Sequence, residues 1–211
     1  MTVNKNNWFN LECRACPRLA NFLDDVKTQY PNYYARPVPP FGDDDIKLLI
    51  VGLAPGMHGA NATGRPFTGD YAGILLYEAL YEFGFSNQAL AESITDGLQL
   101  KNCRITNAVK CLPPENKPTG AEIKQCNSFL AAELTSLKQG TVILALGTIA
   151  HQAVLKALSL KNLAFAHNNL HYLANGLILI DSYHTSRYNV QTKRLTKADF
   201  NAVFDKIMTV L

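Results

Sequence analysis

The residues best able to do chemistry fall in three places: five cysteines, a glycine-rich stretch and a basic loop opened by a histidine. Cys13 and Cys16 form a C-x2-C pair, Cys111 and Cys126 are separated by fourteen residues, and Cys103 sits in an apolar run. Four thiolates in two groups can meet around one centre, as zinc or a [4Fe–4S] cluster requires. From spacing alone, thiols that hold nothing are an equal alternative. The wide second spacing, with Pro113, Pro114 and Pro118, suits a cluster better than a compact zinc site. Residues 52–73 carry Gly52, Leu53, Ala54, His58, Phe67 and Asp70 among five further glycines. Such a loop exposes backbone N–H groups, and taken alone it reads as a cradle for phosphate. Residues 184–196 hold His184, Ser186, Arg187, Tyr188, Asn189, Lys193 and Arg194, with Lys197 just after and no acid between Asp181 and Asp199. Cations, hydroxyls and an aromatic in one loop suit phosphate contact and insertion of a side chain into a base stack. A solvated surface loop is the plain alternative. His184 is a candidate electrophile or acid, whereas His151, His167 and His171 have no motif around them and read as structural.

The elements that must position these residues follow from periodicity. Continuous apolar runs at 46–51, 103–109, 141–146 and 177–180 read as strands covered on both faces. Helical spacing appears over 4–30, from Ile74 onward, from Thr119, from Thr148 to 158, and from Thr196. Thr119 with Glu122 and Thr196 with Asp199 have capping-box spacing, and Asp70 stands where it would cap the helix beginning near Ala72. Strands alternating with helices predict a single domain over 1–211, a three-layer α/β/α sandwich with a central four-stranded, largely parallel sheet. The glycine-rich loop and the histidine loop then both leave carboxyl ends of strands, where such sheets bind ligands.

Composition bounds the partners. The chain has 211 residues, 47% hydrophobic and 18% charged, which suffices for one well-buried core. No apolar run reaches the roughly 18 residues of a membrane span. The first ten residues lack a secretory pattern, so a cytoplasmic monomer is expected. A formal charge of +3 permits a nucleic-acid partner without demanding one.

The loop at 52–73, the segment Thr106-Asn107-Ala108-Val109-Lys110-Cys111 and the loop at 184–196 together resemble the cluster-containing uracil-DNA glycosylases, closest to the type B group called family 5. Where the related family 4 has a glutamate after the first loop glycine, Leu53 stands here, and Asp70 follows Thr-Gly. The resemblance implies a [4Fe–4S] cluster on Cys13, Cys16, Cys111 and Cys126. It also implies hydrolysis of the N-glycosidic bond of uracil, and of other deaminated bases such as hypoxanthine, in DNA. Asp70, His184 and Asn107 would be the catalytic residues. Gly52, Leu53, Ala54, Phe67 and Asn107 would bind the base, and Ser186, Arg187, Tyr188, Asn189, Lys193 and Arg194 the DNA. The residue types suit this: Phe67 offers a ring to stack on, and Asn107 has a donor and an acceptor on one side chain. A non-catalytic cluster-bearing nucleic-acid binder and a zinc-held nucleotide hydrolase are the competing readings.

Overall fold

The computed structural model describes residues 7–211. Among the described residues six strands are present: β1 (Phe41–Gly42), β2 (Leu48–Gly52), β3 (Cys103–Asn107), β4 (Val142–Leu146), β5 (Leu170–Tyr172) and β6 (Ile178–Ser182). They form one sheet in the order β1-β3-β2-β4-β6-β5. The four expected strands are its parallel centre, and every residue in them is buried. The expectation of four strands falls short by two. β1 and β5 pair antiparallel at the edges, through two and three residues. Neither carries the apolar run that betrays a buried strand, because each uses only one side for pairing.

Seven helices accompany them: α1 (Pro17–Gln29), α2 (Ala60–Thr63), α3 (Tyr71–Glu82), α4 (Gly120–Thr135), α5 (Thr148–Ala157), α6 (Arg187–Gln191) and α7 (Lys197–Val210). Alternation along the strands sorts the helices into layers. Leu48, Ile50, Ile105, Leu144 and Ile180 pack with Leu76 and Leu80 of α3 and with Phe200, Val203, Phe204 and Ile207 of α7. Leu49, Val51, Ile143, Ala145 and Leu179 pack on the other side with Leu130 and Leu134 of α4 and with Ala150, Ala153 and Val154 of α5. Three layers result, as expected.

Both capping boxes form, with the side chains of Thr119 and Glu122, and of Thr196 and Asp199, bonding reciprocally. The helix expected over 4–30 shortens to α1, and residues 4–6 of it lie outside the described residues, as do the first six residues of the N-terminal stretch. Pro17 occupies the first turn, where a missing N–H costs nothing, and Cys16 caps in extended conformation. Cys13 and Cys16 therefore stand in the turn before the helix.

Candidate active site and four-cysteine cavity

Parallel pairing places Gly52, the last residue of β2, opposite Asn107, the last of β3. The ladder runs on past both strands: the N–H groups of Ala108 and Val109 donate to the carbonyls of Gly52 and Leu53, each at 2.9 Å. The loop after β2 and the segment leading to Cys111 are thereby held side by side. A side chain at Gly52 would run into Asn107 Oδ1 and into the Phe67 ring, so glycine here permits the close approach of two residues predicted to bind a base.

Phe67 is buried in left-handed conformation (φ +55°), a strained state for a bulky residue that its surroundings must enforce. Arg65, 2% exposed, supplies much of the enforcement. Its guanidinium makes a two-pronged ion pair with Asp96 at 2.9 and 2.5 Å, and its Nε donates to Thr68 Oγ1 at 2.8 Å. Asp96 in turn accepts from the N–H groups of Glu92, Ser93 and Leu98, and Arg65 holds its carboxyl below the usual carboxylate range. The Tyr77 hydroxyl donates to the Pro66 carbonyl at 2.8 Å, and a side chain at Gly73 would strike the Phe67 carbonyl.

Asp70 caps α3 as expected: its Oδ1 accepts from the Gly73 N–H at 3.0 Å. Its Oδ2 faces Gly56 and Gly59, whose missing side chains leave it room. Burial pushes the Asp70 carboxyl up, against the opposing pull of the Gly73 and Ala72 N–H groups.

His184 follows β6 after one residue. The Asn189 side chain donates to its carbonyl at 2.8 Å, and Gly147 (φ +92°) leaves a gap of only 3.4 Å between its own missing Cβ and that of His184. Burial lowers the His184 pKa to about 4, so the ring is neutral near pH 7. It lies stacked with Phe67, centroids 6.0 Å apart.

These groups line one cavity of about 430 Å³, walled by Leu53, Ala54, Phe67, Asp70, Asn107 and His184, with Gly56, Ser186 and Arg187 at its sides. Asn107 is 3% exposed, and its Oδ1 is buried without a hydrogen-bond partner among the described residues. Tyr71 and Asn116 also line it, and sequence reasoning passed over both. Tyr71 looked like an ordinary first-turn residue. Asn116 lies in a 3-10 turn, Pro114–Asn116, where it and Glu115 are both left-handed; the local signal was an Asn after two prolines.

The rest of the histidine loop is outside the cavity. Tyr188 is 69% exposed, and Lys193 and Arg194 are exposed. Arg194 rests on the Tyr183 ring at 4.5 Å, while Asn189 braces His184. Lys197, counted with the basic cluster from sequence, binds Glu78 and Glu82 of α3 at 2.7 and 2.6 Å, so it ties two helices together. His58 makes its hydrogen bond to the Tyr33 hydroxyl, at 2.8 Å, and does not line the cavity. His151 is buried against Asp181 at 2.7 Å, in keeping with a structural role.

Cys13, Cys16, Cys111 and Cys126 line a second cavity, of about 80 Å³, with Leu19, Val109 and Phe129 as apolar wall. The Lys110 N–H donates to Cys126 Sγ at 3.4 Å. Burial and the three neighbouring thiols push Cys111 up to about 12. Among the described residues no group of three or more His, Cys, Asp or Glu is arranged to hold a single metal ion. Zinc would draw four sulfurs to about 2.3 Å from itself. Four sulfurs around an apolar-walled space, with an N–H aimed at one of them, fit a larger inorganic core. Cys103 is fully buried in β3, apart from this set. Ala54 belongs to both places, lining the first cavity and, like Cys16 and Cys111, packing against the cluster of Leu19, Val109 and Cys126.

Comparison with known proteins adds the following. Residues 39–208 match the family described as Uracil DNA glycosylase superfamily. The chain is 45% identical over 196 residues to a protein of Thermus thermophilus named Type-5 uracil-DNA glycosylase, covering 89% of each chain. It is 43% identical over 190 residues to one of the same name from Pyrobaculum aerophilum, covering 88% of this chain and 83% of the relative. A Type-4 uracil-DNA glycosylase of Archaeoglobus fulgidus is 32% identical over 152 residues, covering 72% of this chain and 62% of the relative.

Proposed function

This chain belongs to the uracil DNA glycosylase superfamily, on the side of the type-5 relatives, and on that premise we propose how its residues divide the work. The reaction is hydrolysis of the N-glycosyl bond of uracil in DNA, a repair step that leaves an abasic site. The observation that carries the assignment of residues is the buried, unpartnered Asn107 Oδ1 in a cavity that also holds Asp70 and His184. A uracil flipped into the cavity offers its N3–H to that acceptor and thereby satisfies a group whose burial otherwise costs about 1–3 kcal/mol. Phe67 gives the ring a face to stack on.

As the bond between N1 and C1′ breaks, electron density moves onto the base and positive charge grows on the sugar. His184, a neutral imidazole, donates an N–H to a base carbonyl and steadies the anion; backbone N–H groups of Leu53 and Ala54 assist. Asp70 keeps Oδ1 on the helix cap and turns Oδ2 to the cavity, where it orients the attacking water and favours the cationic sugar. Water adds at C1′, its proton passes to solvent or Asp70, and the base leaves as the anion. Asn116 and Tyr71 close the cavity beside the sugar. Ser186 and Arg187 meet the adjoining phosphates, with Lys193 and Arg194 farther along the strand and the exposed Tyr188 as the wedge. A cavity of this volume also admits a purine, which supports hypoxanthine as a second base.

Cys13, Cys16, Cys111 and Cys126 would hold a [4Fe–4S] cluster whose contribution is structural, tying the turn before α1 to the segment between β3 and α4. The whole chain acts as one domain and one copy. No described helix is long and apolar enough to cross a membrane.

The test is incubation with a uracil-containing duplex followed by alkali. Strand breaks at uracil are expected, and binding without breaks would leave a non-catalytic binder instead. A hypoxanthine-containing strand run in parallel reads the breadth of the pocket.

A further inference from the structure

Beyond the base cavity lies a second groove of about 540 Å³. Its apolar lining is Ile74 of α3 and Ala89, Leu90 and Ala91 of the irregular segment that follows that helix. Ile74 is 56% exposed and Leu90 59% exposed, so each turns more than half of a large apolar side chain to solvent. Asp70, Tyr71 and Arg187 line this groove and the base cavity alike, forming the partition between them. The Arg187 guanidinium lies 5.2 Å over the Tyr71 ring, on that partition. The far wall is fixed in place: the Gly69 N–H donates to the Ala91 carbonyl at 3.0 Å, and the Arg65–Asp96 ion pair fastens the segment beyond it.

We propose that this groove holds the nucleotide adjoining the flipped uridine on the same strand, its base against Ile74 and Leu90 and the linking phosphate at Arg187. This rests on the uracil-excision reading. A nucleotide lodged in the cavity drags its neighbour with it, one phosphodiester away, and a groove sharing a wall with the cavity is where that neighbour arrives. The base opposite belongs to the other strand and has no such tether. Aliphatic side chains beside a guanidinium suit the two parts of a nucleotide, an apolar ring face and an anion. A preference for the base of that one neighbouring nucleotide then originates in this groove.

The experiment compares single-turnover kcat/KM on three duplexes, with uridine internal, at the 5′ end and at the 3′ end. The wild-type enzyme is expected to cleave the internal uracil about tenfold faster than the uracil at whichever end lacks the adjoining nucleotide, the size of one stacked base. Leu90→Glu and, separately, Ile74→Glu should collapse that ratio toward one by slowing the internal substrate. Ile94→Glu places the same charge at a 60% exposed site on the same segment but outside the groove, and should keep the ratio. Equal wild-type rates on all three duplexes overturn the proposal, as does a ratio unmoved by Leu90→Glu or one collapsed equally by Ile94→Glu. A wild-type protein that leaves the internal uracil intact overturns the excision reading itself.

Discussion

Asp70 caps α3 with one carboxylate oxygen and, on the proposed reading, serves the reaction with the other, and the two uses pull its energetics in opposite directions. The cap stabilises α3 by about 1 kcal/mol, whereas burial raises the carboxyl's pKa. A carboxyl raised on folding holds its proton more tightly in the native state, so stability falls as pH climbs from about 3.9 through the folded value. Asp70→Asn keeps the cap and discards the charge. Its melting temperature at pH 7 should be no lower than wild type, while single-turnover excision falls by about 100-fold and the acid limb of the rate profile disappears. His184 has the opposite sign. Its pKa is depressed to about 4, so its contribution to stability is present above about pH 6.5 and is lost as pH falls through the interval down to about 4. His184→Gln should shrink the fall in urea midpoint across that interval and slow excision at pH 7, where the native ring is already neutral.

At the level of elements, the site depends on irregular chain more than on helices or strands. Phe67 reaches the cavity from a loop whose left-handed turn is held through Arg65 by a charge 31 residues beyond it, Asp96. Arg65→Met strips Asp96 of its partner, with both side chains 12% exposed or less, and should cost about 3 kcal/mol in urea unfolding. It should also lower kcat/KM, because the Phe67 ring is then free to leave its position. α4 differs, since its start is written locally. Thr119→Ala removes one half of a capping box and should cost about 1 kcal/mol while leaving the rate close to wild type, since Thr119 itself does not line the base cavity.

For the whole molecule, the sheet delivers three separate loops to one end, and the four-cysteine cavity joins the N-terminal turn to the segment after β3 and to α4. Ala54 lines the base cavity and packs against the wall of the four-cysteine cavity, so loss of the proposed cluster should be felt on the base side. Cys126→Ser should purify with less iron and weaker visible absorbance, and should melt at a lower temperature, since metal-binding free energy is folding free energy in such sites. Wild-type protein with zinc and no iron would overturn the cluster assignment.

The sequence by itself determined the four central strands, the helices behind them and both capping boxes, because apolar periodicity and caps are set by neighbours within a few residues. It also ordered the glycine-rich loop, Asn107 and His184 so that parallel pairing brings them together, which is why the pocket's main walls were legible. Other features were decided only by tertiary contact. The edge strands β1 and β5 exist because β3 and β6 offer open sides. Lys197 is tied to α3 because Glu78 and Glu82, more than a hundred residues earlier, bind its ammonium. Asn116 and Tyr71 enter the cavity from a left-handed 3-10 turn and from the first turn of α3, which Asp70 caps. The glycines first read as a phosphate cradle instead make room: at Gly52 for Asn107 and Phe67, and at Gly59 for Asp70. Only the folded chain shows what fills the space a missing side chain leaves.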